Sequence, residues 1–400
     1  MSSAAAFDVA VAGGGIVGAA CALACAQRGL RVALVERDTL GSGATAAGMG
    51  HIVVMDDSEA QFALTRYSQQ LWHKLAATLP ASAEYEQRGT LWIAADQEEM
   101  EAAEKKHRWY SERSVPCELL TPAQLAEAEP NLVRSLAGAL LVKEDGVVYP
   151  PTVALELARR AEQLGARLFV GRAIRSAGDG RIQLEDGSAI EAARIVLALG
   201  ADSVQLAPHI PVRKRKGHLV ITDRYPGFVR HQLVELGYLK SAHSTSADSV
   251  AFNIQPRRTG QILIGSSRQF GVEHTETDQH ILAAMLARAA IYMPAIRGLS
   301  AIRVWTGFRA ATPDKLPLIG PDSHDPTLFL ATGHEGLGIT TSLATAELTA
   351  DLLTNRTPAI AATPYLPTRY AQSQPTGKES RREETNAMEW SHAGVDHGIQ

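Results

Sequence analysis

Cysteine, long hydrophobic runs and an excess of one charge are all scarce in this chain of 400 residues. It has three cysteines, 39 basic residues, 43 acidic residues and a formal net charge of −4. Cys21, Cys25 and Cys117 lack zinc or iron–sulfur spacing, so we expect them to pack as small apolar groups and expect no metal centre. The weak negative charge gives no reason to expect a nucleic-acid partner. With this balance, the basic run at residues 213–216 is expected to be the solvated start of a strand rather than a docking patch for an anionic partner or membrane surface.

The hydrophobic segments are short. No run reaches the roughly 18 apolar residues that a membrane-spanning helix needs, so we expect no transmembrane segment. A few small residues precede the first predicted strand, which leaves no room for a targeting peptide. Together with the low cysteine content, these features predict a cytoplasmic protein.

The most informative motif is a glycine-rich segment near the N-terminus. Phe7–Ala12 is a short apolar run, and residues 13–18 follow it and open an alanine-rich helix. Gly13 permits a tight turn, Gly15 lets backbone amides approach a pyrophosphate, and Gly18 lets helix and strand pack closely. The context predicts a dinucleotide site; the alternative is a glycine-rich loop that only closes a turn.

The next two segments extend this motif and favour a flavin. A β-rich run at residues 31–35 ends at Glu36, whose carboxylate can accept hydrogen bonds from a ribose hydroxyl. Residues 40–45 form a small-residue loop that can donate hydrogen bonds to phosphate and ribityl groups. A flavoenzyme reduced by a pyridine nucleotide usually needs a second glycine fingerprint, which this sequence lacks. We therefore expect the electrons to come from an organic substrate.

The pattern of elements predicts a discontinuous fold. Helices alternate with buried strands toward both ends of the chain, whereas four strands between residues 218 and 266 follow one another without helices. Consecutive strands indicate an antiparallel sheet. The predicted class is α/β plus α+β, with a discontinuous Rossmann-like FAD-binding domain and an inserted antiparallel-sheet substrate domain.

The domain bounds follow from these segments. The FAD-binding domain is predicted to comprise residues 1–85, 145–208 and 300–370, and the substrate-binding domain residues 86–144 and 209–299. Residues 371–400 are polar and charged, so we predict a disordered tail, with a short partner-binding arm as the alternative.

Six motifs in order make residues 6 to 370 resemble the D-amino acid oxidase superfamily of FAD-dependent amine oxidoreductases. They are residues 13–18 with Glu36, 41–45, 195–201, 305–310, 312–320 and 331–338. Within that superfamily, residues 48–54 and 333–341 are most similar to bacterial D-hydroxyproline dehydrogenases. No cysteine occupies a position at which the family attaches its flavin, so the resemblance implies non-covalent FAD.

The resemblance implies that the chain dehydrogenates cis-4-hydroxy-D-proline, or a D-proline-like cyclic amino acid, to the pyrroline carboxylate by hydride transfer from Cα to flavin N5. The alternatives are a glycine, sarcosine or broad D-amino acid oxidase or dehydrogenase, and a flavin subunit of a larger electron-transfer complex. Sarcosine-oxidase-like relatives carry an oxygen-activating lysine where this chain has Leu263. This difference implies that the electron acceptor is a quinone, a cytochrome or a partner subunit, and such an acceptor could place the protein at a membrane surface.

Four residues are candidates for contact with the substrate. A carboxylate substrate needs an arginine fork, and Arg309 matches the family arginine that holds it. His51 can hydrogen-bond flavin or substrate, or be a structural histidine. Tyr238 can supply a hydroxyl over the substrate, or be an ordinary strand aromatic. Glu335 can meet the substrate amine or the ring hydroxyl of hydroxyproline, or face solvent.

The residues implied to contact FAD cluster in the glycine loop, the loop after Glu36 and the later strand ends. They are Gly13, Gly15, Ile16, Val17, Gly18, Glu36, Arg37, Ser42, Gly43, Ala44, Thr45, Gly48, Met49, His51, Val170, Ala198, Gly200, Gly333, Glu335, Gly336, Leu337, Gly338, Ile339 and Thr340. The helix predicted to begin near Gly338 would present backbone amides to the negative charge of reduced flavin.

Overall fold

The computed structural model describes residues 6–237 and 248–373, which form two large sheets with helices packed against them. The strands are β1 (Phe7–Ala12), β2 (Val32–Glu36), β3 (His51–Ile52), β4 (Thr90–Ala94), β5 (Cys117–Leu120), β6 (Gly138–Val142), β7 (Gly146–Val147), β8 (Arg167–Val170), β9 (Ile174–Gly178), β10 (Arg181–Leu184), β11 (Ala189–Leu197), β12 (Arg213–Thr222), β13 (Gln232–Glu235), β14 (Ser249–Pro256), β15 (Ile262–Phe270), β16 (Ala301–Ala311), β17 (Leu318–Pro321) and β18 (Leu328–Thr332). The helices are α1 (Ile16–Gln27), α2 (Gly43–Ala46), α3 (Glu59–Ala76), α4 (Gln97–Glu112), α5 (Pro122–Ala128), α6 (Pro150–Gln163), α7 (Gln279–Tyr292) and α8 (Gly338–Leu353).

The first sheet has the strand order β17-β18-β11-β1-β2-β8. Its strands are parallel from β18 to β8, while β17 is antiparallel to β18, and β9 and β10 extend β11 in antiparallel fashion. Residues of β1 and β2 are almost continuously apolar and buried, which is typical of a parallel sheet covered by helices. The alanine-rich α1 contacts both α6 and α8, because its small side chains permit close helix packing.

The second sheet has the strand order β16-β12-β15-β14-β13-β4-β6-β5. Its neighbouring strands are antiparallel except for the parallel pair β13 and β4. Helix α7 packs against β14 and β15, with Phe252, Ile264 and Met285 in the apolar layer between them. This sheet therefore has a hydrophobic core of its own, apart from the core around α1.

The predicted fold class is confirmed, and one strand pairs with a sheet that the predicted domain bounds did not assign to it. β16 falls within residues 300–370, which the sequence assigned to the FAD-binding domain, yet it pairs with β12 along the edge of the second sheet. We therefore propose that the boundary falls after Ala311, because the long ladder to β12 ties the whole strand to that sheet. The other predicted bounds stay predictions, and residues 374–400 of the predicted tail lie outside the described residues.

The cysteines behave as their spacing predicts. Cys21 and Cys25 are fully buried on α1, and Cys117 is half-buried. Burial raises the pKa of the Cys25 thiol to about 12, so this group is an apolar packing element at neutral pH. Within the described ranges, no helix has both the length and the apolar character needed to cross a membrane.

Candidate active site

The predicted cofactor residues gather at one edge of the first sheet. Gly13 follows β1, Glu36 ends β2, Val170 ends β8, Ala198 follows β11 and Gly333 follows β18. The carboxyl ends of parallel strands meet at a common edge, and doubly wound sheets bind their ligands there. Strand order alone thus brings together positions that are more than 300 residues apart in the chain.

The loop between β1 and α1 is formed by close backbone contacts. Gly13 has a φ of 105°, and a Cβ there would lie 2.6 Å from the carbonyl oxygen of Ala198. A Cβ on Gly18 would lie 1.9 Å from the carbonyl oxygen of Gly13. Both glycines are therefore required by the packing of strand against helix, as the motif predicts.

The start of α1 offers backbone donors to an anion. Gly15 is the N-cap residue and makes no side-chain cap, and the positive end of the helix dipole favours an anion at this position. The amide of Ile16 donates to Thr45 Oγ1 at 3.0 Å, and Val17 follows in the same turn. Thr45 lies in α2, whose N-cap is Ser42, so the two predicted phosphate loops are in contact.

Glu36 braces the glycine loop from the end of β2. Its carboxylate accepts hydrogen bonds from the amide of Gly14 at 2.7 Å and from the amide of Asp38 at 2.8 Å. Arg37 points outward and forms 3.2 Å ion pairs with Asp38 and Asp202. The acid at this position therefore has a structural role in addition to the predicted contact with ribose.

The loop after α2 contacts the start of α8. A Cβ on Gly48 would lie 2.6 Å from Ile339 Cδ1, so this glycine allows the two segments to approach. Thr340 Oγ1 donates to the carbonyl oxygen of His51 at 2.8 Å. The two stretches that resemble D-hydroxyproline dehydrogenases, residues 48–54 and 333–341, therefore meet in the fold.

A similar arrangement follows β18. The carbonyl oxygen of Gly200 accepts from Thr332 Oγ1 at 2.8 Å, which joins the ends of two parallel strands. Gly333 has a φ of 79°, and a Cβ there would lie 2.6 Å from Thr312 Cγ2. Helix α8 then begins at Gly338 without a side-chain cap. Two uncapped helix starts and a row of required glycines fit an elongated cofactor with a diphosphate at one end and an electron-accepting ring at the other.

A cavity lies between the second sheet and the segment that precedes α8. Six strands of the sheet contribute Arg309, Arg215, Arg268, Asn253, Gln232, Val234 and Trp92. The remaining lining residues are His51, Val53, Met55, Asp57, Gln61, Lys315, Glu335, Gly336 and Leu337. The predicted substrate residues Arg309, His51 and Glu335 therefore share one cavity, which contains several cationic side chains.

Arg309 crosses the sheet beneath this cavity. Its Nη1 donates to the carbonyl oxygen of Ser267 at 3.0 Å, although β12 separates β16 from β15. The guanidinium passes over Gly217, where a Cβ would lie 2.4 Å from Nη1. A Cβ on Gly336 would lie 3.6 Å from Arg309 Nε. The arginine is thus held between two glycines, with its planar fork at the cavity wall.

Glu335 does not face solvent, which was one of its two predicted positions. Its side chain is 13% exposed and forms an ion pair with Arg215, whose side chain is 6% exposed. Glu335 has a φ of 54°, and its amide donates to the carbonyl oxygen of Ala310 at 2.8 Å. This left-handed turn fixes the carboxylate against the end of β16.

The prediction that residues 213–216 form a solvated strand start is wrong for half of the run. Arg215 lines the cavity, and Lys216 is fully buried with its ammonium group donating to the carbonyl oxygen of Glu276. Arg213 is exposed, and Lys214 forms a 3.0 Å ion pair with Glu273. Neighbouring side chains of a strand point to opposite faces, and here both faces of β12 are covered at its centre.

His51 and several neutral polar groups present unsatisfied atoms in the cavity region. His51 Nε2 is buried and has no hydrogen-bond partner among the described residues, and burial lowers the pKa of this histidine to about 3. Gln61 Oε1, Trp92 Nε1, Gln232 Oε1 and Asn253 Oδ1 are likewise buried without a partner in the described part of the chain. Buried polar atoms are normally hydrogen-bonded, so this cavity fits polar ligands rather than apolar ones.

Two further predicted positions remain to be compared with the structure. Tyr238 is outside the described residues, so its role stays a prediction. Leu263 is buried in β15, where its register partners are Ile221 on β12 and Gln255 on β14.

Sequence reasoning missed several cavity residues, chiefly Arg215 and Arg268. Arg215 belongs to the basic run of β12, which was predicted to be solvated. Arg268 follows Gly265 and two serines, and this segment matches no recognised motif. The signal available for both was an arginine in the same segment as an apolar run, because charged residues are rarely buried without a partner or ligand. Which side chains line the cavity also depends on the cross-strand register of the second sheet, and the sequence did not predict that register.

Comparison with known proteins places the chain among flavoenzymes. The family model described as "FAD dependent oxidoreductase" matches residues 8–352. Glycine oxidase of Geobacillus kaustophilus (strain HTA426) is 29% identical over 383 residues, covering 91% of this chain and 97% of the relative. The crystal structure of glycine oxidase from Geobacillus kaustophilus superimposes with a TM-score of 0.80 at 28% identity, covering 91% and 98% of the two chains. The structure of L-proline dehydrogenase from P. horikoshii, at 24% identity and a TM-score of 0.81, covers 92% and 98% and shares the fold.

Gly18→Ala should weaken both folding and cofactor retention. The added Cβ would collide with the carbonyl oxygen of Gly13, and overpacking of this kind costs about 1–3 kcal/mol. We expect a lower urea midpoint and a lower flavin content per chain after purification. Gly298→Ala is the matched control, because Gly298 is exposed and a Cβ there meets no atom within 4 Å. Equal flavin content and stability in the two variants would contradict the packing argument.

Two buried histidines should make the fold sensitive to acid. Burial lowers the pKa of His51 to about 3 and that of His334 to about 4, whereas histidine in an unfolded chain titrates near pH 6.5. As pH falls from about 6.5 toward 4, the unfolded chain binds protons that the folded chain does not, so stability is lost in that window.

The measurement is the free energy of unfolding at pH 7.5 and pH 5 for wild type and His334→Gln. We expect the variant to lose less stability on acidification, by on the order of 1 kcal/mol. Comparing two proteins at each pH is necessary because burial raises the pKa of Asp145 to about 7, and this carboxyl acts in the opposite direction. His280→Gln, which changes an exposed histidine of α7, should behave like wild type. An identical pH response in His334→Gln would show that this histidine is protonated equally in both states.

Proposed function

The chain belongs to the family of FAD-dependent oxidoreductases, as an enzyme that oxidises amino acids, and we propose that its substrates are glycine-type amino acids such as glycine and sarcosine. In this reaction the Cα–H bond breaks, the amine nitrogen releases a proton to solvent, and a C=N bond forms. FAD, when bound, accepts the two electrons. The protein must hold the amino acid in one orientation and stabilise the charges around it.

One observation carries the proposal: Arg309 lies in the cavity next to the segment that leads into α8. A guanidinium binds a carboxylate through two parallel hydrogen bonds, which fixes both position and orientation. Since Gly217 and Gly336 flank the guanidinium, its position is set before the substrate arrives. Holding the carboxylate here would place the Cα of an amino acid between the sheet and the loop that contains His51.

The other two described candidates have supporting roles in this proposal. His51 stays neutral at working pH because burial lowers its pKa, so its Nε2 can exchange a hydrogen bond with ligand without adding charge. Glu335 neutralises Arg215 and keeps that arginine from competing for the substrate carboxylate. The amine must lose its positive charge for oxidation, and a cationic cavity favours the neutral amine.

Glycine-type substrates are preferred here over cis-4-hydroxy-D-proline. The relatives described above include glycine oxidases at 28–29% identity, which supports the simpler amino acid. The D-hydroxyproline hypothesis is supported by the similarity of residues 48–54 and 333–341, and these two segments contact each other through Gly48 and Ile339. Turnover of sarcosine, glycine and both hydroxyproline stereoisomers with an artificial dye distinguishes the two proposals.

We retain two proposals for the electron acceptor. The first is oxygen, because the similar relatives are named glycine oxidases. The second is a quinone, a cytochrome or a partner subunit, because Leu263 stands in place of the oxygen-activating lysine. Oxygen consumption and dye reduction by the isolated chain, measured with the same substrate, decide between them. Turnover by the isolated chain would also exclude a role limited to a flavin subunit of a larger complex.

Arg309→Met should raise KM for glycine or sarcosine by about 10- to 100-fold, since a charge-assisted hydrogen-bond pair contributes about 1.5–3 kcal/mol. Arg303→Met is the control, because Arg303 lies on the same strand with an exposed side chain. Flavin content should be unchanged in both variants. An unaltered KM in Arg309→Met would remove this residue from the substrate site.

Gly217→Ala should also raise KM for glycine or sarcosine, because the substitution displaces the Arg309 guanidinium. The new methyl group would occupy the place of the guanidinium, and a flexible side chain moves at little cost to stability. We expect KM to rise by about tenfold, with a nearly unchanged melting temperature. In the double variant with Arg309→Met, the alanine should add nothing further, because the group that it displaces is gone. Independent, additive effects would contradict the positioning role.

A further inference from the structure

We infer that His209, Asp322 and His324 bind a divalent transition-metal ion such as Zn²⁺, at a place in the fold separate from the cavity. None of these three residues lines the cavity around Arg309. The ion is a second ligand of the protein, and its binding does not depend on which amino acid is the substrate.

The three residues come from two segments that are far apart in the chain. Asp322 directly follows β17, and His324 lies two residues later in the turn that leads to β18. His209 belongs to the connection between β11 and β12. Because the turn precedes β18, it lies at the amino end of that strand, whereas the predicted cofactor residues gather at the carboxyl ends of the parallel strands. The cluster is therefore at the edge of the first sheet opposite the candidate active site.

The nitrogen and oxygen atoms of the cluster are already close together. His209 Nε2 lies 2.6 Å from Asp322 Oδ1, and the ring centroids of His209 and His324 are 3.8 Å apart. One such atom from each residue lies within 4.8 Å of the others. Zinc bonds of about 2.0–2.2 Å in tetrahedral geometry place neighbouring ligand atoms about 3.3–3.6 Å apart. The observed spacings lie on both sides of this value, so small side-chain movements suffice to bind an ion.

The carboxylate of Asp322 is held in place by its own turn. Its side chain is 1% exposed, and Oδ2 accepts hydrogen bonds from the amides of His324 and Asp325, each at 3.0 Å. The carboxylate of Asp325 accepts in turn from the amide of Asp179 at 2.9 Å. These contacts direct Oδ1 of Asp322 toward His209. Carboxylates that bind metals are typically fixed by such outer hydrogen bonds.

The two imidazoles cover this carboxylate on the solvent side. The side chain of His209 is 25% exposed, and His324 is exposed. Ser323 Oγ lies 3.0 Å from His324 Nδ1, a contact that orients the ring. The hydrogen bond to Asp322 accounts for the position of His209, whereas the placement of His324 against His209 requires another reason. Joint binding of one ion supplies it, and the ion can reach the cluster directly from solvent.

The donor set indicates the class of metal. Two imidazole nitrogens and one carboxylate oxygen suit Zn²⁺ and the neighbouring divalent transition metals, whereas Mg²⁺ and Ca²⁺ prefer oxygen ligands. Three protein ligands leave a fourth position for water. The expectation of no metal centre depended on cysteine spacing, and this cluster contains no thiol. The ion would tie the connection that enters β12 to β17, the edge strand of the first sheet.

Equilibrium dialysis of the flavin-loaded, chelator-treated full chain against Zn²⁺ measures the binding. We expect about one equivalent of Zn²⁺ per chain, with an affinity that falls at least about tenfold in His324→Gln and in His209→Gln. His280→Gln changes an exposed histidine of α7 and should bind Zn²⁺ like wild type. Zn²⁺ should also raise the melting temperature of wild type more than that of either ligand variant, because it binds the folded chain. Mg²⁺ at the same concentration should have no effect.

Cu²⁺ at less than one equivalent gives a readout that identifies the ligands. Its electron paramagnetic resonance spectrum shows coupling to bound imidazole nitrogens, and oxidised flavin gives no signal. We expect two coupled nitrogens in wild type and one in His324→Gln. If His209→Gln does not fold, His324→Gln decides, because its side chain is exposed.

Two outcomes would overturn the inference. One is equal Zn²⁺ affinity and stoichiometry in wild type and both ligand variants, since the ion would then bind at other histidines or thiols. The other is no retained Zn²⁺ in wild type at concentrations up to about 1 mM, which corresponds to about −4 kcal/mol of binding free energy. Because no measurement here uses turnover, these outcomes leave the proposed function unaffected.

Discussion

Arg215 and Arg309 lie directly opposite each other on β12 and β16, a pairing of like charges that destabilises a sheet and requires compensation. Glu335 meets this requirement for Arg215, and its left-handed backbone conformation is the means by which its carboxylate reaches the strand pair. The guanidinium of Arg309 lies over Gly217, where a Cβ would be 2.4 Å from Nη1. The ion pair with Glu335, the glycine at position 217 and the left-handed turn before α8 all accommodate these two arginines.

The first sheet obeys a different constraint, the close approach of backbone to backbone. Gly13 and Gly18 leave no space for a Cβ, so β1, α1 and the end of β11 are in direct contact. The same contact leaves the start of α1 uncapped at the edge of the sheet. The start of α8 is also uncapped, and its contact with the loop around Gly48 joins the nucleotide end of the site to the cavity. The two sheets thus contribute separate parts of the candidate site: helix starts at the proposed cofactor end and cationic side chains at the proposed substrate cavity.

Much of this arrangement was predictable because its signals are local. The glycine loop, Glu36 and the alanine-rich helix form one continuous segment, and each residue type has a mechanical reason there. The consecutive strands after residue 218 predicted the second sheet for a similar reason. Arg215 and Arg268 were not predicted, since a charged residue in a strand is ordinarily solvated and only cross-strand register shows which face it occupies. The pairing of β16 with the second sheet was not predicted for the same reason, because a strand carries no local mark of the sheet that it joins.

The sequence by itself determined that a glycine-rich strand–helix unit begins the fold, that helices and strands alternate, and that consecutive strands form a second sheet. It also identified Arg309 as the candidate that binds a carboxylate. These features depend on residues close together in the chain or on the chemical needs of a single group. Only the tertiary structure decided that Glu335 neutralises Arg215, that Arg268 enters the same cavity and that Gly217 makes room for Arg309. Each of these relations joins residues on different strands or on a strand and a distant turn. Their physical basis is register and charge balance across the sheet, and neither is encoded in any short segment of the chain.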